Sequence, residues 1–565
     1  MNRLCLLMLV VVAAFAPAPA AEAQQQQAAA AQQASAPRES VIDAAARVPV
    51  DTDLVLVIDN ASQLRSSALA EAFATVSGPT SPLNDSRQAW QALAAELGWT
   101  DAEAFDHLLG RRIMLVARGI DTADAAQWVL LSEVSLATDR RLKERLKAAP
   151  RAITQGQQVL AIEQGRYELT SFRHAGRLAD DAGAVTILLA PAARSQLLET
   201  MLARLVGGAA GGWNAKQPPR LLGQESIITE ARTLGDAEVL LLSRLGPRAG
   251  DQPVTAWPDF LAVTASRARD RGAAPRWVLH VALREHARQQ DLLAAAMSSD
   301  AVFNAFAPAS LLTVVQMAPL SVIFGRSLPF DDPLTNLPWP PAAAELFTGR
   351  QAIRIHSAPG EQGEPGLVCT LAMETTSAEQ LAPVLDPAIG TFFTEVERAV
   401  GQRNETTPAF ANFAGIAPRA TRIATVELGS AGPLSDVTGP GLSVAWAYPR
   451  SADQSHDWWT LALAAAKEGQ PRVVAAVADA AAAVGGGGGK GGKDVPLAAE
   501  NRRWIWFLAA KPRQLESLFA PGVPDLRGLR TFMKRVEDVG CRLSITDAGD
   551  VRGEVTLELV EEQGR

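Results

Sequence analysis

Reactive side chains are scarce in this chain: its 565 residues include three cysteines, two tyrosines and six histidines. One cysteine, Cys5, lies in the apolar N-terminal segment, so a multi-disulfide framework is excluded and only a single bridge between Cys369 and Cys541 stays open. None of His107, His174, His280, His286, His356 and His456 stands near another His or Cys at metal-ligand spacing, and no His-Glu-x-x-His stretch occurs. No metal site and no cofactor is therefore expected. Gly-x-Ser-x-Gly is also missing, which removes the nucleophile elbow of the α/β-hydrolases. The formal net charge of -8 is spread along the chain with no basic patch, which argues against a nucleic-acid partner. Long apolar runs are lacking as well: the longest unbroken one, Leu4 to Ala16, is shorter than the ~20 residues that span a bilayer.

What is present begins with an export pattern. Arg3, the apolar run, Pro17 and Pro19, and the small-x-small stretch Ala21-Glu22-Ala23 read as a signal peptide over residues 1–23, cut near Gln24. No transmembrane segment is expected after cleavage, and the mature protein is expected in the periplasm or outside the cell. Residues 24–46 form a Gln/Ala-rich stretch without apolar periodicity, read as a disordered spacer. The remainder, with 48% apolar and 20% charged residues, has the balance of a globular protein and too much length for one core.

An internal echo divides it. Residues 101–148 recur without gaps 239 positions later, with Gly110-Arg111 on Gly349-Arg350, Val129 on Val368, Leu142 on Leu381 and Leu146 on Leu385. We therefore expect two tandem, distantly related halves, 47–300 and 301–565. Leu54 to Ile58 reads as a buried strand; Asp59-Asn60 caps the next helix, and Thr100-x-x-Glu103 is a capping box. Thr138 reads as the cap of a helix carrying Leu142 and Leu146, and Pro191 as the opening of another. Strands follow, mostly as hairpins, at 112–118, 127–135, 158–164, 167–173, 184–190, 238–243 and 276–283. The second half carries them at 311–317, 351–356, 366–374, 421–427, 442–447, 503–509, 541–546 and 551–560. The expected class is α+β, each half an antiparallel sheet covered by helices.

The opening Val48-Pro-Val-Asp-Thr-Asp-Leu-Val-Leu-Val-Ile-Asp-Asn60, followed by helices and then Leu108-Leu-Gly-Arg-Arg-Ile113, resembles a family of exported bacterial proteins of unknown function. Their chains begin with a Pro-Ala-Asp-type strand and continue into a Leu-Gly-x-x-apolar strand. The resemblance implies export and a repeated α+β build, and brings no catalytic residue with it.

Candidate chemistry is sparse. Gly487 to Lys493 fits G-x-x-x-x-G-K, but Asp494 replaces the Ser or Thr that would hold magnesium, so Gly485–Lys493 reads as a flexible loop. Asp59-Asn60-Ala61-Ser62 has the look of an adhesion-type metal loop, yet Ala61 and Gln63 occupy the serine positions, which leaves Asp59 as a helix cap. His280 and His356 fall in strands, where proton shuttling competes with a satisfied structural role. Trp504 and Trp506 alternate onto one face of a strand, with Trp458 and Trp459 in the same part of the chain. Core packing is the ordinary fate of such indoles; an aromatic platform for sugars is the functional alternative. Cys369 and Cys541 alternate with apolar residues and are expected as buried, unpaired thiols. The expectation is an exported envelope binding or scaffolding protein, with an unknown envelope protein or polysaccharide as partner. The opposing reading is an exported hydrolase whose carboxylates or histidines converge only in the fold.

Overall fold

The computed structural model describes residues 40–65, 94–119, 127–173, 185–202, 231–243, 260–284, 310–317, 340–399, 421–427, 441–450, 457–465, 469–484, 503–516 and 530–560, with short breaks inside these ranges. The signal segment, the Gln24–Glu39 part of the spacer and the Gly485–Lys493 loop lie outside the described residues. The chain divides into two compact units, one extending to Arg284 and one from Glu285 onward, with Thr255–Trp257 belonging to the second.

In the first unit, helix α1 (Val41–Ala45) is opened by Ser40, whose side chain accepts a hydrogen bond from the Asp43 amide. Val41, Ile42 and Ala45 are buried, so the folded part begins inside the stretch read as spacer. Strand β1 (Leu54–Ile58) leads to α2 (Ala61–Arg65), α3 (Asp101–Leu108), the hairpin β2 (Ile113–Arg118) and β3 (Gln127–Val134), and α4 (Leu136–Arg145). Then come β4 (Ala149–Ala152), β5 (Gln158–Gln164), β6 (Tyr167–Arg173), β7 (Val185–Pro191), β8 (Val239–Ser243), β9 (Phe260–Ala268) and β10 (Arg276–Arg284). The strands lie side by side as β4-β5-β6-β7-β3-β2-β1-β8-β9-β10, antiparallel throughout.

β1 is apolar at every position because both of its faces are covered. Val55 and Val57 share a core with α1, Val116, Leu131, Leu188, Leu240 and the helical residues Leu197, Leu198 and Leu202. Ile58 turns the other way, onto Ala61, Phe105 and Ile113. On that same side, Val134, Val185 and Ile187 receive Leu108 of α3 and Leu142 of α4. The capping box is formed, Thr100 accepting from the Glu103 amide and Glu103 from the Thr100 amide. The cap of α4 is Ser135, with Thr138 already inside the helix, because the Ser135 hydroxyl is the one that accepts from the Thr138 amide. Pro191 ends β7 instead of opening a helix.

The second unit holds β11 (Leu312–Gln316), α5 (Pro341–Ala344), β12 (Phe347–Pro359), β13 (Pro365–Thr375), α6 (Ala378–Ala399), β14 (Arg422–Glu427), β15 (Gly441–Ala447) and β16 (Asp457–Ala465). It closes with α7 (Gly469–Val484), β17 (Arg503–Ala510), α8 (Pro512–Glu516), β18 (Val536–Ile545) and β19 (Val551–Leu559). Its order is β14-β15-β16-β13-β12-β11-β17-β18-β19, again antiparallel. Position by position this is the order of the first unit without its outermost β4. Helices again lie on both faces: α6 packs Leu381, Leu385 and Ile389 against Leu371, Met373 and Val444, and α7 packs Val473, Ala476 and Val477 against Val368, Ala445, Ala462 and Ala464.

The α+β expectation is corrected by this architecture: strand outweighs helix, and the chain is predominantly antiparallel sheet. Three strands carry the difference. β4, β9 and β16 escape a reading of the sequence because Ala149–Ala152 is short and proline-bearing, and because Phe260–Ala268 and Asp457–Ala465 are rich in Ala, a residue of low strand preference. They are strands because the neighbours β5, β8 and β15 offer them ladders.

The uniform offset of 239 does not persist through the structure. Ser135 and Ser377, the two serines that accept from amides at the starts of α4 and α6, are 242 residues apart. The β12–β13 ladder also carries an irregularity between Phe347 and Gln351 that the β2–β3 ladder lacks. The two echoed glycines are needed for different reasons. At Gly349 the backbone has φ 87°, a left-handed conformation that costs any residue with a Cβ. At Gly110 a Cβ would lie 2.4 Å from the Ser62 hydroxyl oxygen and 2.5 Å from the Asp106 carbonyl, so the constraint is space.

The strand order also decides the cysteines. Cys369 lies in β13 and Cys541 in β18, with β12, β11 and β17 between them. Four inter-strand steps of about 4.8 Å amount to roughly 19 Å, against the ~7 Å Cα separation that a disulfide tolerates. Both thiols are free, and burial pushes Cys369 up to about 11 and Cys541 up to about 12. Alkylation of the denatured, non-reduced protein is therefore expected to label both Cys369 and Cys541, as read by peptide mass spectrometry; a linked pair of cysteine peptides would contradict the fold.

Candidate functional site

The densest convergence of ionisable and aromatic side chains among the described residues lies in the second unit, around Asp386. Its carboxylate projects from α6 toward β14 and β15. Arg422, on β14, and Trp446, on β15, are direct partners in the ladder and so share a face; Tyr448, two residues beyond Trp446, continues it. Arg422 Nε donates to Asp386 Oδ2 at 2.7 Å, while Trp446 Nε1 and the Tyr448 hydroxyl each donate to Oδ1 at 2.7 Å. The Arg422 guanidinium also stacks on the Tyr448 ring at 4.8 Å.

All four side chains are buried. Burial, reinforced by the Asp386 charge, drives the Tyr448 phenol far above its ordinary value, so it stays protonated and donating. Both carboxylate oxygens of Asp386 are engaged by donors of the fold itself. The arrangement ties the middle of α6 to the β14–β15 ladder, a structural clamp in which each polar atom answers another.

Around it the residues singled out from sequence take different positions. Trp459 is buried in the core beneath α6, 6.3 Å from the Phe347 ring, and Trp458 is buried on the opposite face under Ala480 and Val484 of α7. Trp506 is partly exposed; the Trp504 side chain lies outside the described residues. An irregularity in the β17–β18 ladder falls between these two positions, pairing Trp504 with Ser544 and Trp506 with Leu543. Simple alternation would have given them partners two apart; Trp458 and Trp459 lie on opposite faces of the sheet.

Asp59 and Asn60 take separate roles: Asp59 is ion-paired to Arg112, whose Nε donates at 2.9 Å, and Asn60 caps α2 by accepting from the Gln63 amide. Among the described residues no group of three His, Cys, Asp or Glu could hold a metal ion. His107 stacks beside Trp99 at 4.8 Å, with the Arg141 guanidinium also 4.8 Å from that ring. A second acid–base set sits at the irregularity of β12: buried Glu374 accepts from Arg350 at 3.2 Å and from Thr348 at 2.7 Å, a link within the fold.

Sequence reasoning missed Asp386, Arg422 and Tyr448. An Asp between Pro383 and Pro387 on the apolar side of a helix was the available signal, since a lone carboxylate there needs a buried cation.

Replacing Asp386 by Ala is expected to destabilise the second unit by about 3–5 kcal/mol, because the buried Arg422 loses the carboxylate that it is ion-paired with. Tyr448→Phe, which removes one donor, is expected to cost about 1–2 kcal/mol. Guanidinium unfolding monitored by tryptophan fluorescence measures both. Comparison with known proteins finds no matching family model, no matching curated protein and no matching solved structure.

Proposed function

We propose that the protein is an exported binding or scaffolding component of the cell envelope that acts by surface recognition. The observation that carries this reading is the saturation of Asp386: the best-converged ionisable cluster is used internally by the fold. The inert state of the thiols agrees with it, since burial holds both as neutral S–H. Export rests on the N-terminal pattern of Arg3, the Leu4–Ala16 run and Ala21-Glu22-Ala23. No helix among the described residues is long and apolar enough to cross a membrane.

The partner is an envelope protein or a polysaccharide, and one experiment separates these from the hydrolase alternative. The tagged protein, expressed in a Gram-negative host, is released by osmotic shock, cross-linked in the envelope fraction, and incubated in parallel with purified cell-wall polysaccharide. The proposal expects release with the periplasmic contents and either a discrete cross-linked protein or co-sedimentation with the polysaccharide, without new reducing ends or soluble fragments. Steady production of such fragments, lost in a His356→Ala variant, would make the protein a hydrolase.

A further inference from the structure

The sheet face beneath α7 carries a charge arrangement that the Asp386 clamp does not involve. Ala352, Arg354 and His356 alternate onto one face of β12, and Ala352 belongs to the core that Ala480 and Val484 of α7 cover together with Val315, Ala372, Trp458 and Phe507. Two groups able to carry positive charge therefore stand two residues apart on a half-buried surface. The ladder neighbours of this pair are Thr313 on β11 and Thr370 and Val368 on β13, none of which titrates. The charges that α7 contributes are Asp479, whose carboxylate acts on both residues, and Arg472, two turns earlier on the same side of the helix. The Nδ1 of His356 is buried and has no hydrogen-bond partner among the described residues.

We propose that His356 is an acid-sensitive latch: protonating it beside Arg354 on the face beneath α7 loosens the seating of that helix. A second positive charge then joins Arg354 on a half-buried face, in a place where water cannot fully solvate it. The direction of the effect follows from the folded environment. Burial first, and then the Arg354 charge, hold the imidazole below its ordinary value of 6.5, with Asp479 opposing. The latch is therefore fully engaged above that unfolded value and is released as pH falls through the lower, folded one. An exported protein meets such pH changes directly, since the cytoplasm does not buffer its surroundings.

The test is hydrogen exchange of the α7 amides, 469–484, in the intact protein at pH 7.5 and pH 5, corrected for intrinsic exchange and read beside thermal unfolding. In the wild type, opening of α7 is expected to increase on the order of fivefold on acidification. His356→Gln, which keeps the shape and cannot take up a proton, is expected to abolish most of that increase. Asp479→Asn, which removes the compensating charge, is expected to steepen it. Equal acid responses in wild type and His356→Gln, or a flatter response in Asp479→Asn, would overturn the latch. A structural role alone would shift all pH values equally and leave the slope unchanged.

Discussion

Covering both faces of a continuous antiparallel sheet is the constraint from which most of this structure follows. A central strand so enclosed cannot alternate apolar with polar residues, and β1 with Leu54–Ile58 does not. Each unit meets the constraint with a helix after its third strand on one face and another helix on the reverse. In the second unit the reverse face is lined by Ala352, Ala372, Ala445, Ala462 and Ala464, small enough for the alanine-rich α7 to approach closely. Composition and packing are here the same fact seen at two levels.

Burying so much sheet also encloses polar groups, and the second unit resolves this by convergence. Asp386 would be costly alone beneath α6, as would Arg422 on the sheet; together with Trp446 and Tyr448 they satisfy one another. The contribution of such a network lies chiefly in orientation, because a helix held by a carboxylate with three fixed donors has one seat. Arg354 and His356 are the contrast. They are half-buried with the Asp479 carboxylate acting on both, which makes their stretch of the sheet responsive to protons.

The pair of glycines at 110 and 349 shows how two units can share an order of strands while differing in detail. One is required by crowding from Ser62 and Asp106, the other by a left-handed backbone at the irregular start of β12. An identity in sequence thus marks equivalent places on the chain path without equal local geometry, and the drift from 239 to 242 residues between the capping serines belongs to the same divergence.

Local features were legible without the fold: the buried strand at Leu54–Ile58, the capping box at Thr100 and Glu103, the hairpin 112–135, and the apolar face of α6 through Leu381 and Leu385. Each depends on neighbours within a turn or a strand pair, where periodicity and capping act directly. The alanine-rich strands β9 and β16 were not legible, because weak strand formers become strands only when an adjacent ladder is offered. Nor was the separation of Cys369 from Cys541, which depends on three strands lying between them. The ladder irregularity between Trp504 and Trp506 is likewise something that alternation cannot foresee. Asp386 and Arg422, 36 residues apart in the chain, meet only because α6 returns across the strands that follow it. Sequence determined the elements whose energetics are local; tertiary structure decided every feature whose partners are distant, since burial and pairing across the sheet exist only once the chain has folded.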